Sequence, residues 1–340
     1  QNKLLQLGDK ESGGFGSAPK FPGIMSIQFL LEAYKLTHED EALKHAVFSI
    51  DALLCGGIYD CLGSGLCRYT VDKAWLIPHF EKMLYDNALL ISVLCDAYTA
   101  TKNEVYKTVI DDLIKFANRE LKGDHELYYC AIDADSEGEE GAFYCWTYNE
   151  LKELLNKEEV AFAEKHLDVS EKGNWEGKTI IHVDELLLLS KAHEEFSVIR
   201  HKLFESRSKR IRPLTDDKAL LSWNALFNWS LVKAGKVLQN NLYLDVAESN
   251  MNAIIDLFNI AGTPGHVYKN GQLKHQINLD DYVFLSRALL ELNNATGKQK
   301  WMDWAKELLQ RIDLLFYNQD QKSYYFSAAQ NTDVLAPKLD

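Results

Sequence analysis

Apolar positions recur at helical spacing through most of the chain, and the helical stretches come in pairs. A motif of polar and aromatic residues precedes the first helix of each pair, and an aromatic loop follows the second. Four helical hairpins are predicted in this way: 24–36 with 40–54, 82–100 with 103–121, 218–238 with 242–260, and 281–292 with 298–316. Apart from one insertion, the unit recurs about every 60 residues, which is the pattern of a helical-hairpin repeat.

Residues 122–213 interrupt the repeat and form the predicted insertion. It begins with two predicted strands, 127–132 and 142–146, on either side of an acidic loop. It ends with two predicted helices, 183–191 and 194–209. Four basic residues lie at the end of the last helix: Arg207, Lys209, Arg210 and Arg212. We interpret them as a solvated helix end, since cations are favoured at a helix C-terminus.

Hairpins whose first helices all follow a polar motif predict a ring, with first helices inside and second helices outside. The polar motifs would then converge at one mouth. The common closed ring has six hairpins and the pattern shows four, so we expect an incomplete (α/α)6 toroid. The predicted fold class is therefore all-α, with short β-hairpins in the loops. A single domain is expected over residues 1–340, with the insertion inside it.

Charge and composition narrow the classes of partner. The formal net charge is -13, from 37 basic and 50 acidic residues, which disfavours nucleic acid and anionic membrane surfaces. No apolar run is long enough to span a bilayer, and no leader peptide is recognisable, so a cytoplasmic location is expected. The six cysteines form no C-x-x-C pair and are interpreted as reduced thiols.

The stretch 75–87, which reads W-L-I-P-H-F-E-K-M-L-Y-D-N, concentrates titratable groups among large apolar side chains. His79, Glu81 and Asp86 are the catalytic candidates here, because histidine titrates near neutral pH and a carboxylate can set its tautomer. Two structural alternatives remain open. His79 could be a buried helix-capping residue, and the spacing of Lys82 and Asp86 is that of an i,i+4 helix pair.

The loop 133–141 carries five carboxylates in the sequence D-A-D-S-E-G-E-E-G. Asp133 is a further catalytic candidate, and Asp135 is a candidate for substrate binding. Paired carboxylates could also act as acid and base in glycoside hydrolysis. A solvated acidic loop or a cation site are the alternatives, although the EF-hand register fails because its twelfth position is Tyr144.

The motifs that precede the other inner helices supply the remaining candidates. Asp217 completes the catalytic set. The further candidates for substrate binding are Lys20, Arg68, Tyr69, Lys218, Trp223, Asn224, Asp281 and Tyr282. Tryptophan faces stack on sugar rings, and carboxylates and amides bind hydroxyl groups. The alternative for these residues is helix capping, ion pairing and core packing.

Read in order, these motifs resemble those of the YyaL family, also called spermatogenesis-associated protein 20-like or thioredoxin-domain-containing proteins. The resemblance covers nearly the whole chain. It rests on G-G-F-G-S-A-P-K-F-P at 13–22, on 75–87, on A-I-D-A-D-S-E-G-E-E-G-A-F-Y at 131–144, on D-D-K-A-L-L-S-W-N-A-L at 216–226, and on L-D-D-Y at 279–282. One departure is that Cys61 and Cys67 stand where the family pattern has a histidine and a serine.

The resemblance implies an N-terminal thioredoxin-like domain followed by a toroid similar to N-acylglucosamine 2-epimerases and six-hairpin glycosidases. We expect the thioredoxin-like domain and the family's C-terminal portion to lie outside this sequence. The implied function is a sugar-active enzyme, either an epimerase or isomerase, or a glycoside hydrolase, with a carbohydrate as its small-molecule ligand. The competing hypothesis is a non-catalytic toroid that binds a carbohydrate or protein and partners a thioredoxin-like domain. No cofactor and no metal are predicted.

Overall fold

A computed structural model describes residues 1–328, which form two compact units. Unit 1 comprises residues 1–120 and 131–215. Unit 2 comprises residues 121–130 and the chain from residue 216 onward. A single domain over residues 1–340 stays a prediction, and residues 329–340 lie outside the described part of the chain.

Helices dominate both units, and all eight predicted hairpin helices are confirmed. In unit 1 the helices are α1 (Asn2–Leu7), α2 (Ile24–Thr37), α3 (Asp40–Cys55), α4 (Leu84–Thr101), α5 (Glu104–Glu120), α6 (Tyr148–Leu154), α7 (Lys157–His166) and α8 (Glu194–Arg207). In unit 2 they are α9 (Leu221–Leu238), α10 (Asn241–Leu257), α11 (Leu279–Thr296) and α12 (Gln299–Phe316).

Within each unit, the first helix of the first hairpin packs against the first helix of the second hairpin as well as against its own partner. In unit 1, α2 packs on α3 and α4, and α4 packs on α5; in unit 2, α9 packs on α10 and α11, and α11 packs on α12. Helix α4 is apolar on nearly all sides and is buried accordingly, whereas α5 buries only one face. The sequence pattern thus distinguishes inner from outer helices.

Short strands occupy the loops before the inner helices. They are β1 (Tyr69–Thr70), β2 (Pro78–His79), β3 (Lys82–Met83), β4 (Ala131–Ile132), β5 (Asp135–Ser136), β6 (Glu139–Glu140), β7 (Thr215–Asp216), β8 (Ala219–Leu220), β9 (Gly265–Lys269), β10 (Gln272–Gln276), β11 (Tyr317–Asn318) and β12 (Ser323–Tyr324). β1 pairs with β2, β3 with β4 and β5 with β6, all antiparallel. In unit 2, β9 pairs antiparallel with both β8 and β10.

Two elements predicted in the insertion are wrong. Residues 142–144 form a turn rather than a strand, and Trp146 forms only an isolated bridge with Thr179. The guanidinium of Arg210 donates to the carbonyl oxygens of Phe143 and Cys145 in this turn segment, at 3.1 and 2.6 Å. The predicted helix 183–191 is reduced to a 3-10 turn at Leu186–Leu189.

The interpretation of the basic residues at the end of α8 as a solvated helix end is also wrong for Arg207 and Arg210. Arg207 is 3% exposed and donates two hydrogen bonds to Asp60, at 2.9 and 2.8 Å. Arg210 lies over the ring of Trp146, and Arg212 pairs with Glu120. Only Lys209, the fourth member, is exposed without such a contact among those described. Arg207 can be buried because Asp60, a carboxylate distant in sequence, lies against it.

Helix α4 begins at Leu84, two residues later than predicted, so Lys82 lies in β3 and not on the helix. The predicted helix pair between Lys82 and Asp86 is therefore wrong. Lys82 is buried, and its Nζ donates to Asp60 at 2.7 Å and to the carbonyl of Ser64 at 2.9 Å.

The sequence predicts reduced cysteines and no stretch long enough to span a bilayer. All six cysteines are unpaired, and five of them are buried. Burial raises the pKa of Cys61 and of Cys67 to about 12, so both thiols are neutral at physiological pH. Within residues 1–328, no helix combines the length and apolarity that a membrane crossing requires.

Candidate functional site

The β1–β2 hairpin of unit 1 presents His79 beside Tyr69. The two residues are directly opposed in the hairpin, and their rings stack with centroids 5.0 Å apart and planes inclined at 24°. The next residue, Phe80, is 2% exposed and packs with Ala134, Cys145 and Ile180. Because successive side chains in extended backbone point to opposite sides, anchoring Phe80 in the core holds His79 on the accessible side.

Two carboxylates flank the imidazole of His79, and one of them binds an arginine. Nδ1 lies 2.6 Å from Glu140 Oε1, and Nε2 lies 3.7 Å from Glu81 Oε2. Arg68 in turn donates from Nη1 to Glu81 at 3.0 Å. The side chain of His79 is 28% exposed, so the ring is held by protein groups and yet open to a ligand. A carboxylate at Nδ1 fixes the tautomer that leaves Nε2 free to take up a proton.

Asp86 lies in the first turn of α4 and is 7% exposed. The hydroxyl of Tyr85 is hydrogen-bonded to Asp86 and to Arg68, which links Asp86 to the groups around His79. Burial raises the pKa of Asp86 from 3.8 to about 7, although the Tyr85 hydrogen bond and the charge of Arg68 oppose the shift. Its Oδ2 is buried and has no hydrogen-bond partner within residues 1–328. Asp86 is therefore a carboxyl that can exchange a proton near neutral pH.

We call this group the His79 site and define it as Arg68, Tyr69, His79, Glu81, Asp86 and Glu140. Five of the six were candidates from the sequence, and the structure brings those five together within unit 1. Glu140 was missed as a site residue and was known only as part of the acidic loop. The number of carboxylates in that loop was a signal, but the loop's conformation decides which carboxylate reaches the histidine.

The other acidic-loop candidates have different surroundings. Asp133 and Asp135 are exposed; Asp135 lies in β5, directly opposite Glu140 in β6. The backbone N–H of Asp135 donates to Asp133 at 3.3 Å. The loop is thus a short β-hairpin that delivers Glu140 to His79. A catalytic role for Asp133 and a binding role for Asp135 stay predictions.

Lys20 is buried, and protein groups bind its ammonium. It is 1% exposed, and its Nζ donates to Asp9 at 2.8 Å and to the carbonyls of Gly13 and Lys73 at 2.7 and 3.0 Å. The ammonium also lies 4.4 Å from the ring centroid of Trp75. With its donors occupied and its side chain enclosed, Lys20 has no group to offer a substrate.

In unit 2, the side chain of Asn224 forms its hydrogen bonds with backbone groups. It is fully buried, and its amide bonds the N–H and carbonyl of Tyr128 at 2.8 and 2.9 Å and the carbonyl of Leu220 at 3.0 Å. All of these partners are backbone groups, so we assign Asn224 a structural role in place of the expected substrate-binding one. Tyr282 is 2% exposed and packs edge-on against Phe316, and its role in substrate binding stays a prediction.

Asp281 is fully buried in the first turn of α11. It binds His266, which was not among the residues predicted from the sequence. The carboxylate accepts from Nδ1 of His266 at 2.8 Å and from the backbone N–H groups of Asn278 and Ser222 at 2.9 and 3.0 Å. The hydrogen bond to Asp281 raises the pKa of His266 above its ordinary value. His266 stands in the sequence G-H-V-Y-K, shortly before the motif that contains Asp281. Sequence alone did not pair the two residues; their contact is visible only in the folded chain.

The remaining unit 2 candidates lie at the surface. Asp217 forms an ion pair with Lys269, and Lys218 pairs with Asp216 at 2.8 Å. Asp217 also lines a small cavity of about 90 Å³ together with Tyr268. Trp223 is half-buried near the start of α9. The prediction that His79, Asp133, Asp217 and Trp223 line one pocket involves both units and stays a prediction.

One group in the described residues could hold a metal ion by proximity. Ligand atoms of His166, Asp184 and Glu185 lie within 4.8 Å of one another on the surface of unit 1. The acidic hairpin at 133–141 does not form such a group within the described chain.

Comparison with known proteins identifies relatives of nearly the whole chain. Spermatogenesis-associated protein 20 of Homo sapiens is 30% identical over 370 aligned positions, which cover 95% of the chain and 47% of the human protein. An uncharacterised protein of Caenorhabditis elegans is 31% identical over 373 positions, which cover 96% of the chain and 51% of the worm protein. The chain thus spans about half the length of the curated relatives it matches. No protein-family model matches the chain.

Solved structures show the fold. A D-mannose isomerase superposes with a TM-score of 0.60 at 13% identity, covering 96% of this chain and 72% of the isomerase. A family 76 glycoside hydrolase from a bovine Bacteroides thetaiotaomicron strain gives 0.57 at 10% identity, covering 93% and 51%. The unsaturated glucuronyl hydrolase of Bacillus sp. GL1 gives 0.57 at 12% identity, covering 91% and 66%. The predicted α/α-toroid fold and the predicted resemblance are both confirmed.

Proposed function

We propose that this homologue of spermatogenesis-associated protein 20 is a sugar-active enzyme that moves a proton at a carbon next to a sugar carbonyl. The reaction class is epimerisation or isomerisation, and the His79 site performs it. The observation that carries the proposal is the hydrogen bond of 2.6 Å between Glu140 and Nδ1 of a partly exposed His79. A carboxylate at one ring nitrogen makes the other nitrogen a positioned base.

The base is His79. With its Nδ1–H donated to Glu140, Nε2 carries the lone pair and accepts the proton from the substrate carbon. Tyr69 covers one face of the imidazole by stacking, so the ring keeps its orientation while the proton moves. Glu81, 3.7 Å from Nε2, stabilises the imidazolium that forms.

The acid is Asp86. Because burial raises its pKa to about 7, about half of the carboxyl is protonated at neutral pH, and the protonated form can donate a hydrogen bond to the sugar carbonyl. Arg68 supplies positive charge beside the same carboxyl and stabilises the enediolate oxygen. An acid and a base with different environments in one site are what proton transfer next to a carbonyl requires.

Unit 2 holds a positioned histidine of its own. Nδ1 of His266 donates to the buried Asp281, and the side chain of His266 is 25% exposed. Within unit 2, we propose His266 as a separate candidate for proton transfer. Asp217 and Trp223 keep their proposed roles as substrate contacts.

The fold comparison is consistent with this reaction class by analogy. The D-mannose isomerase that shares the fold is named for an isomerisation of a sugar. The competing proposal, a non-catalytic toroid that binds a carbohydrate or protein and partners a thioredoxin-like domain, predicts binding without turnover.

Glycoside hydrolysis is the second candidate function. One observation favours it: the same site holds a buried carboxyl, Asp86, whose pKa is about 7, and a carboxylate, Glu81, bonded to Arg68. A protonated and an ionised carboxyl are the acid and base that glycosidases use. Hydrolases are also among the solved structures with this fold.

The test is a sugar panel incubated in D2O with the full chain, starting with D-mannose, N-acylated amino sugars and aryl glycosides. Epimerisation or isomerisation places deuterium on carbon, which NMR detects, whereas hydrolysis releases an aglycone without such exchange. We expect carbon-bound deuterium to accumulate with the parent protein. His79→Gln and Asp86→Asn should each slow it by at least about a hundredfold.

His201→Gln is the matched control, since His201 is exposed on α8 of the same unit. Its rate should equal that of the parent. Release of aglycone without deuterium incorporation would replace the first candidate by the second. A folded protein that binds a sugar of the panel but converts none would favour the non-catalytic toroid.

A further inference from the structure

A small cavity in unit 1 lies between the C-terminal ends of α5 and α8 and the glycine-rich loop 60–65. It leaves about 30 Å³ of room for the centre of a water molecule, more than a single water needs. Its charged lining consists of Asp60, Lys82, Arg119, Glu120, Arg207 and Arg212. We call it the cation cavity. The lining contrasts with the whole chain, whose net charge is -13.

The deeper half of the lining is built on Asp60. Its carboxylate accepts from Lys82 at 2.7 Å and from both terminal nitrogens of Arg207 at 2.9 and 2.8 Å. The side chains of Lys82, Asp60 and Arg207 are 2%, 9% and 4% exposed. Two cations therefore share one carboxylate in a nearly dry environment, which leaves one positive charge without a counter-charge.

The outer half repeats the arrangement around Glu120. Its carboxylate pairs with Arg119 at 2.6 Å and with Arg212. Arg119 also donates to the carbonyl of Gly63, which ties α5 to the glycine-rich loop. Four cations and two carboxylates thus line one cavity, with an excess of two positive charges.

No neighbouring acid in the lining supplies the missing negative charge. Tyr144 also lines the cavity, and burial raises its pKa well above the ordinary value, so its hydroxyl stays neutral. Cys67, beside Tyr144 and Asp60, is a neutral thiol for the same reason. Moreover, Nε of Arg207 is buried and has no hydrogen-bond partner in the described residues. Uncompensated buried charge and an unpaired buried N–H are both costly.

We propose that the cation cavity binds a small oxyanion, such as inorganic phosphate or a carboxylate, which balances the excess charge of Arg119, Arg207 and Arg212. Guanidinium groups match oxyanions because their N–H donors form a planar fork. The inference is independent of the proposed sugar chemistry, because none of the cavity's charged residues belongs to the His79 site.

The test measures anion binding to the full chain, without any sugar, by calorimetric titration with inorganic phosphate, with acetate and with chloride. Phosphate binding is also followed by broadening of its 31P resonance. We expect saturable binding of an oxyanion and weaker binding of chloride. Arg212→Gln removes one cation from the solvent-exposed rim and should weaken oxyanion binding about tenfold or more, the effect of losing one charged hydrogen bond.

Lys209→Gln is the matched control, because Lys209 is exposed near the end of α8 and changes the net charge equally. Its affinity should match that of the parent. Arg119→Gln serves as the second rim variant if Arg212→Gln unfolds, which circular dichroism reports. Absence of saturable oxyanion binding, or equal losses in the rim and control variants, would overturn the proposal.

Discussion

We expect the buried side-chain amide of Asn87, rather than helix propensity, to hold the start of the inner helix α4 in place. Its side chain is fully buried and bonds the N–H and carbonyl of Leu66 at 2.8 and 3.2 Å and the carbonyl of Met83 at 2.8 Å. Asn224 makes the same three bonds in unit 2, to Tyr128 and Leu220. The two asparagines are therefore equivalent residues of the hairpin repeat.

Asn87→Ala should destabilise unit 1 by about 3 kcal/mol. Three hydrogen bonds are lost at about 1 kcal/mol each, and the buried groups of Leu66 are left without partners, which sets a range of about 2–5 kcal/mol. The measurement is urea unfolding followed by circular dichroism. Native-state hydrogen exchange at the Leu66 amide, which should become much faster, locates the effect.

Asn149→Ala is the control, since Asn149 is exposed, and it should change stability by less than about 0.5 kcal/mol. Asn224→Ala should repeat the loss in unit 2 and expose the amide of Tyr128 to exchange. A loss below about 1 kcal/mol for Asn87→Ala, with the Leu66 amide still protected, would refute the reasoning.

Three further predictions concern buried charge. Lys20→Met should cost about 3–5 kcal/mol in urea unfolding, because it leaves Asp9 buried without its main partner; a loss seen only in ligand binding would contradict this. Asp86 stays protonated in the folded state up to about pH 7, whereas the unfolded chain ionises near 3.8, so its contribution makes stability fall as pH rises through that window. Asp86→Asn should flatten the fall in thermal unfolding midpoints measured from pH 4 to pH 8, and parallel curves would argue against it. Asp281→Asn should lower the pKa of His266, followed by NMR titration, because the hydrogen bond that raises it is lost; an unchanged pKa would rule out the pairing.

Much of the candidate site was predictable because its residues are close in sequence. His79, Glu81 and Asp86 fall within one short stretch, and Arg68 with Tyr69 comes only a few residues earlier. A β-hairpin and a helix start bring such neighbours together with little help from the rest of the chain. Segments more distant in sequence could not be assigned in this way.

Glu140 shows why a site residue that is distant in sequence could not be predicted. It lies 61 residues from His79, and its register opposite Asp135 decides that it, and not Asp133 or Asp135, approaches the imidazole. A shift of the hairpin by one residue would present a different side chain, since neighbours in a strand point to opposite faces. Composition predicted an acidic loop at this place but could not select one carboxylate.

The chain's own pattern determined its helices, because apolar spacing and chain-breaking loops are local properties that each hairpin expresses by itself. It also determined the position of the polar motif that contains His79. Only the tertiary structure decided which charges are buried: Arg207 looked like part of a solvated helix end until Asp60, 147 residues away, was placed against it. The physical reason is that a charge enters the interior only where a counter-charge meets it, and that meeting depends on packing between distant segments.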